Sequence, residues 1–180
     1  MRLFVVPLGP PLEAYVEAFW FVRGRPDYSG EKVLPNGVVE LIFNLGAPHK
    51  VIESDDGTRF RTFFDTWLAG LQERYLVIEA VDDFDLVGIR FRPGGATPFL
   101  RSSPAELTNN VVECGDFDPA LASLAAAVRD RLRTPAPPPI ASPCSSSCCA
   151  RGLIRIGRAI LLWSARSATC ADRSARHWAC

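Results

Sequence analysis

Apolar and polar positions alternate over much of the first hundred residues, which is the pattern of β-strands that bury one face. The segment Lys32 to Leu45 shows this alternation most clearly, and we expect its more apolar face to contact the core. That face consists of Val39, Leu41, Phe43 and Leu45. The opposite face carries Val38, Glu40, Ile42 and Asn44.

Four further runs have the composition of strands and are bounded by turn residues. They are Phe19 to Arg23, Lys50 to Glu53, Tyr75 to Ala80 and Phe84 to Arg92. In the last run the apolar parity changes at Gly88, and a glycine inside a strand commonly marks a bulge. The pattern therefore predicts mostly antiparallel sheet, with a kink at Gly88 of the kind that a curved or closed sheet uses.

Helix-start signals precede the strands and return after residue 102. Pro11 suits the first turn of a short helix, and Ser103 to Glu106 has the spacing of a capping box. Asp118 followed by Pro119 predicts a longer linker helix within residues 117–134. Its apolar positions, Leu121, Leu124, Val128 and Leu132, recur at helical spacing. We expect this helix to pack on the sheet or on a partner.

Composition changes near residue 134. Residues 1–130 carry 19 Asp and Glu against 12 Lys and Arg, whereas residues 131–180 carry 8 Arg and a single acidic residue, Asp172. Five of the six cysteines also lie in this second part, after a run rich in proline and serine. We predict a mainly β (α+β) domain over residues 1–116, the linker helix, and a low-complexity tail over 135–180 that is disordered or out of frame.

The chain shows no signal for export or for membrane insertion. Its apolar start is short and is broken by prolines, unlike a secretory signal. The longest later apolar stretch, Leu153 to Ala165, contains two arginines and is shorter than a membrane span. We expect a cytoplasmic, reduced protein with no membrane partner.

Three ordered blocks resemble the amino-terminal domain of one branch of AraC-type transcription regulators. They are AYVEAFWFVRG (14–24), VLPNGVVELIFNLG (33–46) and WLAGLQERYLVIEAVDDFDLVGIRFRPGGATPFL (67–100). The resemblance covers residues 1–116 and implies a cupin-like antiparallel β-barrel that senses a small-molecule effector. It does not imply catalysis.

The same resemblance implies a carboxy-terminal half with two helix-turn-helix units, and the sequence after residue 134 does not match it. The 46 residues that follow are too few for two such units. DNA binding is therefore expected only if such a half is present. One hypothesis is a shift of reading frame, because Arg, Ala, Pro, Ser and Cys dominate when a GC-rich gene is read out of register.

Five residues are candidate ligand contacts in the sensor part. Arg90 and Arg92 share one strand face and suit a carboxylate effector or a contact with a neighbouring domain, although solvated outer arginines are the commoner arrangement. Glu40 becomes a polar ligand contact if its face lines a cavity, and is otherwise an exposed edge residue. Trp20 and Trp67 supply aromatic surface for an apolar pocket or for the ordinary core.

Few residues in the sequence indicate a catalytic or metal-binding site. The sensor part contains only His49, which is too few histidines for a cupin metal centre. The tail cysteines lack paired zinc-site spacing, no GxSxG elbow occurs, and Cys114 has the character of a buried apolar residue. We predict no cofactor, no metal and no enzymatic activity.

The expected function is effector sensing and dimerisation within an AraC-type regulator, by a chain that is truncated and does not bind DNA specifically by itself. A homodimer through the linker helix is one expected partner arrangement. Two alternatives stay open: a small cupin-like ligand-binding protein or enzyme, and an interaction protein that pairs with an intact regulator.

Overall fold

Two antiparallel sheets make up most of the protein. The computed structural model describes residues 2–54 and 56–134, together with the backbone of 149–156 and 159–166. The larger sheet contains, in spatial order, β1 (Arg2–Pro7), β2 (Val16–Gly24), β9 (Phe84–Phe91), β4 (Glu40–Asn44), β7 (Thr66–Ala69) and β10 (Val111–Glu113). The smaller sheet contains β3 (Gly30–Val33), β8 (Leu76–Glu79), β5 (His49–Ile52) and β6 (Phe60–Phe63).

The mainly β, antiparallel fold predicted from the sequence is confirmed, but a closed barrel is not. Every neighbouring pair of these ten strands is antiparallel. The strands nevertheless form two separate sheets, with β1 and β10 at the edges of the larger one. A barrel requires its edge strands to hydrogen-bond to one another, and the described strands do not close in this way.

The larger sheet is a central layer with a core on each side. One core faces the helices and includes Leu41, Phe43 and Val128. The other core lies between the two sheets and includes Ile42 and Phe63. Strand β4 is consequently buried on both faces, although the sequence pattern predicts a core contact for only one of them.

The longest helix in the described residues, α2 (Pro119–Arg133), covers the first of these cores. It follows one short helix, α1 (Cys114–Phe117), and three single 3-10 turns at Leu12–Ala14, Thr97–Phe99 and Pro104–Leu107. The buried residues of α2 are Leu121, Ala125 and Val128, and an ion pair joins Arg129 to Asp65. The apolar side of α2 therefore packs on the larger sheet.

Asp118 fixes the beginning of α2. Its carboxylate accepts hydrogen bonds from the backbone N–H groups of Ala120 and Leu121, each at 3.0 Å, and of Arg101 at 3.1 Å. The Asp–Pro signal in the sequence thus has the physical role expected of a helix cap. The third bond also ties the helix to the segment before β10.

We expect Asp118→Ala to lower the free energy of unfolding by about 1 to 2 kcal/mol, because a cap is lost and the Arg101 N–H loses its acceptor. Urea unfolding measures the change. Asp116→Ala is the matched control, since Asp116 lies exposed on α1. Equal unfolding midpoints for the two variants would contradict the capping role.

The bulge predicted at Gly88 is wrong. Gly88 stays in register, opposite Trp20 on β2 and Ile42 on β4. The register of β2 against β9 shifts instead between Val16 and Ala18. A glycine is required at position 88 for a different reason: a Cβ there would lie closer than 3.0 Å to the indole ring of Trp20.

Two strands are described after residue 134. Strand β11 (Cys149–Ile156) pairs in antiparallel fashion with β12 (Ala159–Arg166). The prediction of a disordered tail falls otherwise on residues outside the described part of the chain. Among the described residues, no helix has the length and apolar character needed to cross a membrane.

Candidate functional site

The inner face of the larger sheet, defined here as the face toward the smaller sheet, carries four of the five candidate residues. Directly opposite residues on antiparallel strands point to the same side of a sheet. One cross-strand row contains Trp20, Gly88, Ile42 and Trp67. The adjacent row contains Ala18, Arg90, Glu40, Ala69 and Val111. Because Ile42 and Trp67 belong to the core between the sheets, both rows face that core.

Glu40 and Arg90 form an ion pair on this inner face. Arg90 donates from Nε to Glu40 Oε1 at 2.6 Å, and Asn36 Nδ2 donates to the same oxygen at 3.3 Å. The Glu40 side chain is 12% exposed and that of Arg90 is 37% exposed. The terminal nitrogens of Arg90 form no hydrogen bond with the described residues, so part of its guanidinium is open to a further acceptor.

Trp20 brings an unpaired donor to the neighbouring row. Its ring lies over Gly88, where a side chain of any size would displace it. The Nε1–H group is buried and has no acceptor among the described residues. A buried donor without a partner costs about 1 to 3 kcal/mol, and such a group is a natural contact for a ligand oxygen.

His49 faces the same core from the smaller sheet, although in the sequence it stands out only as a lone histidine, too few for a metal centre. Its ring centroid lies 4.9 Å from that of Phe84 and 5.6 Å from that of Trp67. Its Nε2 has no partner among the described residues, and burial lowers the pKa to about 4. His49 alternates with Lys50 and shares a face with the apolar Val51, which is the sequence signal for an inward orientation.

An open groove with a volume of about 520 Å³ lies between the smaller sheet and the β10 edge of the larger one. Its lining includes the core residues Val51 and Val111 and the arginines Arg59, Arg61 and Arg74. Arg61 pairs with Glu53, whereas Arg59 and Arg74 have no ion pair within the described residues. Val111 stands in the same cross-strand row as Glu40, with only the small side chain of Ala69 between them. The groove thus borders the row that holds the ion pair.

The fifth candidate, Arg92, is not brought to this site. It follows the last residue of β9 and is exposed. Its Nε donates to the carbonyl of Glu13 at 2.6 Å, and its backbone N–H donates to the carbonyl of Tyr15 at 2.9 Å. Arg92 therefore fastens the 3-10 turn before β2.

The thiol of Cys114 and the candidate metal-ligating side chains are the reactive groups considered in the described part of the chain. Cys114 is buried, and this burial, together with Glu113 and Asp118, raises the pKa of its thiol to about 12. Since a thiolate is the reactive form, this cysteine is inert at neutral pH. No three His, Cys, Asp or Glu side chains among the described residues come together as metal ligands.

Comparison with family models assigns residues 6–113 to one family. The model described as "Domain of unknown function (DUF6597)" matches residues 6–113. The chain belongs to this family. The DUF6597 match begins within β1 and ends at the last residue of β10. It therefore includes all five candidate residues and the two sheets apart from residues 2–5, but not α2. No curated protein and no solved structure gave a significant match.

Proposed function

We propose that this chain is the effector-sensing module of a cytoplasmic AraC-type transcription regulator, and that it binds a small molecule at the inner face of its larger sheet. The transcriptional part of the proposal rests on the three sequence blocks that resemble that family. The ligand-binding part rests on geometry. Its main support is the Glu40–Arg90 pair, a partly buried polar group set among the aromatic and apolar residues of the inner face.

The chemistry of the site favours an amphipathic acid. Ligand pockets are mostly apolar and carry a few well-placed polar groups. Trp20 and Trp67 supply apolar surface in one row, while the guanidinium of Arg90 can receive a carboxylate in the next row. The lining of the groove carries three arginines and two glutamates, Glu53 and Glu73, and this excess of one positive charge favours an anionic ligand on approach.

Matched acids and amides test this proposal. Thermal unfolding of the purified chain is measured with benzoate, phenylacetate and octanoate, and with the corresponding neutral amides. We expect an acid to raise the melting temperature and its amide to have no effect, because only the acid offers a carboxylate to Arg90. A ligand at 100 times its Kd stabilises the native state by about 2.7 kcal/mol.

Arg90→Gln is expected to abolish the stabilisation by the acid. Arg92→Gln is the matched control, because it removes the same charge from a side chain that bonds the Glu13 carbonyl outside the site. Equal stabilisation of both variants, or equal effects of acids and amides, would contradict a carboxylate site at Arg90.

The proposed role in transcription regulation is tested with DNA from the upstream region of the gene. Fluorescence anisotropy measures binding of the purified chain to this DNA at low and physiological salt. A sensor module without a base-reading helix binds weakly, and its binding disappears as the salt concentration rises. Sequence-selective binding at physiological salt would contradict the proposal that residues 1–180 do not read DNA sequence by themselves. Substrate turnover by the purified chain would favour the alternative of a cupin-like enzyme.

A further inference from the structure

The loop between β3 and β4 contains the one Asn–Gly dipeptide of the sequence, Asn36–Gly37. Both residues are exposed to solvent. Gly37 has a φ of +68°, and a Cβ at this position would meet no atom within 4 Å. A glycine leaves its own backbone nitrogen unobstructed by a side chain, which favours attack by this nitrogen on the side chain of the preceding asparagine.

Hydrogen bonds hold the Asn36 side chain against this nitrogen. Its Oδ1 accepts from the backbone N–H of Val38 at 3.2 Å, and the hydrogen-bonded ring that results contains the Gly37 nitrogen. The same N–H group stabilises the negative charge that develops on Oδ1 when the side-chain carbonyl is attacked. At the other end of the amide, Nδ2 donates to Glu40 Oε1 at 3.3 Å. Both ends of the amide are therefore held in place beside the Gly37 backbone.

We propose that Asn36 is a site of spontaneous deamidation, and that the carboxylate it forms is an internal competitor for Arg90. The Gly37 nitrogen gives up its proton and bonds to the side-chain carbonyl carbon of Asn36. The bond from that carbon to Nδ2 breaks, and ammonia leaves with the proton. Water then opens the resulting cyclic imide, which yields aspartate or isoaspartate and restores the Gly37 N–H. Water is the one co-reactant, and the chain gains one negative charge.

The new charge stands beside the ion pair of the inner face. Asn36 Nδ2 lies 3.3 Å from Glu40 Oε1, so an oxygen in its place brings two carboxylates together, and like charges this close repel each other. Arg90 relieves the repulsion, because its terminal nitrogens form no hydrogen bond with the described residues and can receive the second carboxylate. A ligand acid then competes with residue 36 for the same guanidinium. This competition rests on the acid site proposed above, whereas the deamidation itself does not.

Peptide mapping of the full-length chain after prolonged incubation tests the modification. We expect the peptide that contains Asn36 to exchange its amide NH2 for a hydroxyl, with aspartate and isoaspartate as separate products, and faster at mildly alkaline than at mildly acidic pH. Asn109 and Asn110 are matched controls within the same chain, since both are exposed but precede residues that have side chains, and we expect them to remain amides. An intact Asn36 under conditions that convert a free peptide of residues 34–39, or equal conversion of the three asparagines, would overturn the proposal.

Asn36→Asp supplies the product without incubation and tests its effect on Arg90. We expect this variant to need at least tenfold more acid than the wild type for the same rise in melting temperature, a loss of about 1.4 kcal/mol in binding. Ala126→Asp is the matched control, because it adds the same charge at an exposed position of α2. Equal responses of the wild type and Asn36→Asp to the acid would contradict the competition.

Unfolding without any ligand separates this inference from the proposed function. We expect Asn36→Asp to destabilise the Arg90→Gln chain more than it destabilises the wild type, since only the wild type has a cation beside the two carboxylates. Urea unfolding of the two single variants, the double variant and the wild type measures this coupling. A wild type that no acid stabilises would contradict the ligand site and leave the coupling in place, whereas additive effects of the two substitutions would overturn the internal carboxylate.

Discussion

Acidification from pH 7 to pH 4 is expected to lower the free energy of unfolding by about 3 kcal/mol through His49 alone. Burial among aromatic rings lowers the folded-state pKa of His49 to about 4 from the ordinary value of 6.5. Between these two values the unfolded chain binds a proton at this position that the folded chain does not. Stability is therefore complete above pH 6.5 and is lost progressively as the pH falls toward 4.

His49→Phe isolates this effect, because a phenyl ring fits the aromatic surroundings of Phe84 and Trp67 and does not titrate. Urea unfolding is measured at pH 7, 6, 5 and 4.5 for both proteins. We expect the wild-type chain to lose stability more steeply than the variant over this range, whereas titrating carboxylates affect both alike. His177→Gln measures the contribution of the second histidine of the chain. Parallel pH profiles for wild type and His49→Phe would contradict a buried neutral imidazole.

The sequence predicts the class of fold well because its strand patterns are local. The Lys32 to Leu45 segment identifies Leu41 and Phe43 as core residues, and both lie in the core that faces the helices. Burial of both faces of this segment is not a local property. It requires the smaller sheet to cover Ile42 and α2 to cover Phe43, and these elements come from separate parts of the chain.

For the candidate site, likewise, the sequence predicts the residues but not their arrangement in space. Glu40, Arg90, Trp20 and Trp67 are singled out by residue type and strand parity, but nothing in the sequence places them beside one another. Their arrangement depends on the register of four strands, which sets Glu40 opposite Arg90 and places Gly88 between Trp20 and Ile42. Arg92 shares the parity of Arg90, yet it lies beyond the end of β9, where the alternation of faces no longer applies.

Gly88 shows why register matters more than composition at this site. A parity change in one strand predicts a bulge, whereas the actual constraint comes from a side chain 68 positions earlier in the chain. The indole of Trp20 occupies the space above the Gly88 backbone, with Cε2, Cζ2 and Nε1 all within 3.0 Å of where a Cβ would stand. The glycine therefore determines where the unpaired Nε1–H of Trp20 lies on the inner face.

We expect Gly88→Ala to lower the free energy of unfolding by about 2 to 3 kcal/mol, because one methyl group forces the Trp20 ring out of its position. Urea unfolding measures this loss, and Gly115→Ala is the matched control, since a Cβ at Gly115 meets no atom within 4 Å. The cost should fall sharply in the double variant Trp20→Leu/Gly88→Ala, where the obstructing ring is absent. Two results would show that Trp20 is not the reason for glycine at position 88. One is equal stability of Gly88→Ala and Gly115→Ala, and the other is a double variant in which the two changes in the free energy of unfolding simply add. In either case the inner face would not depend on this contact.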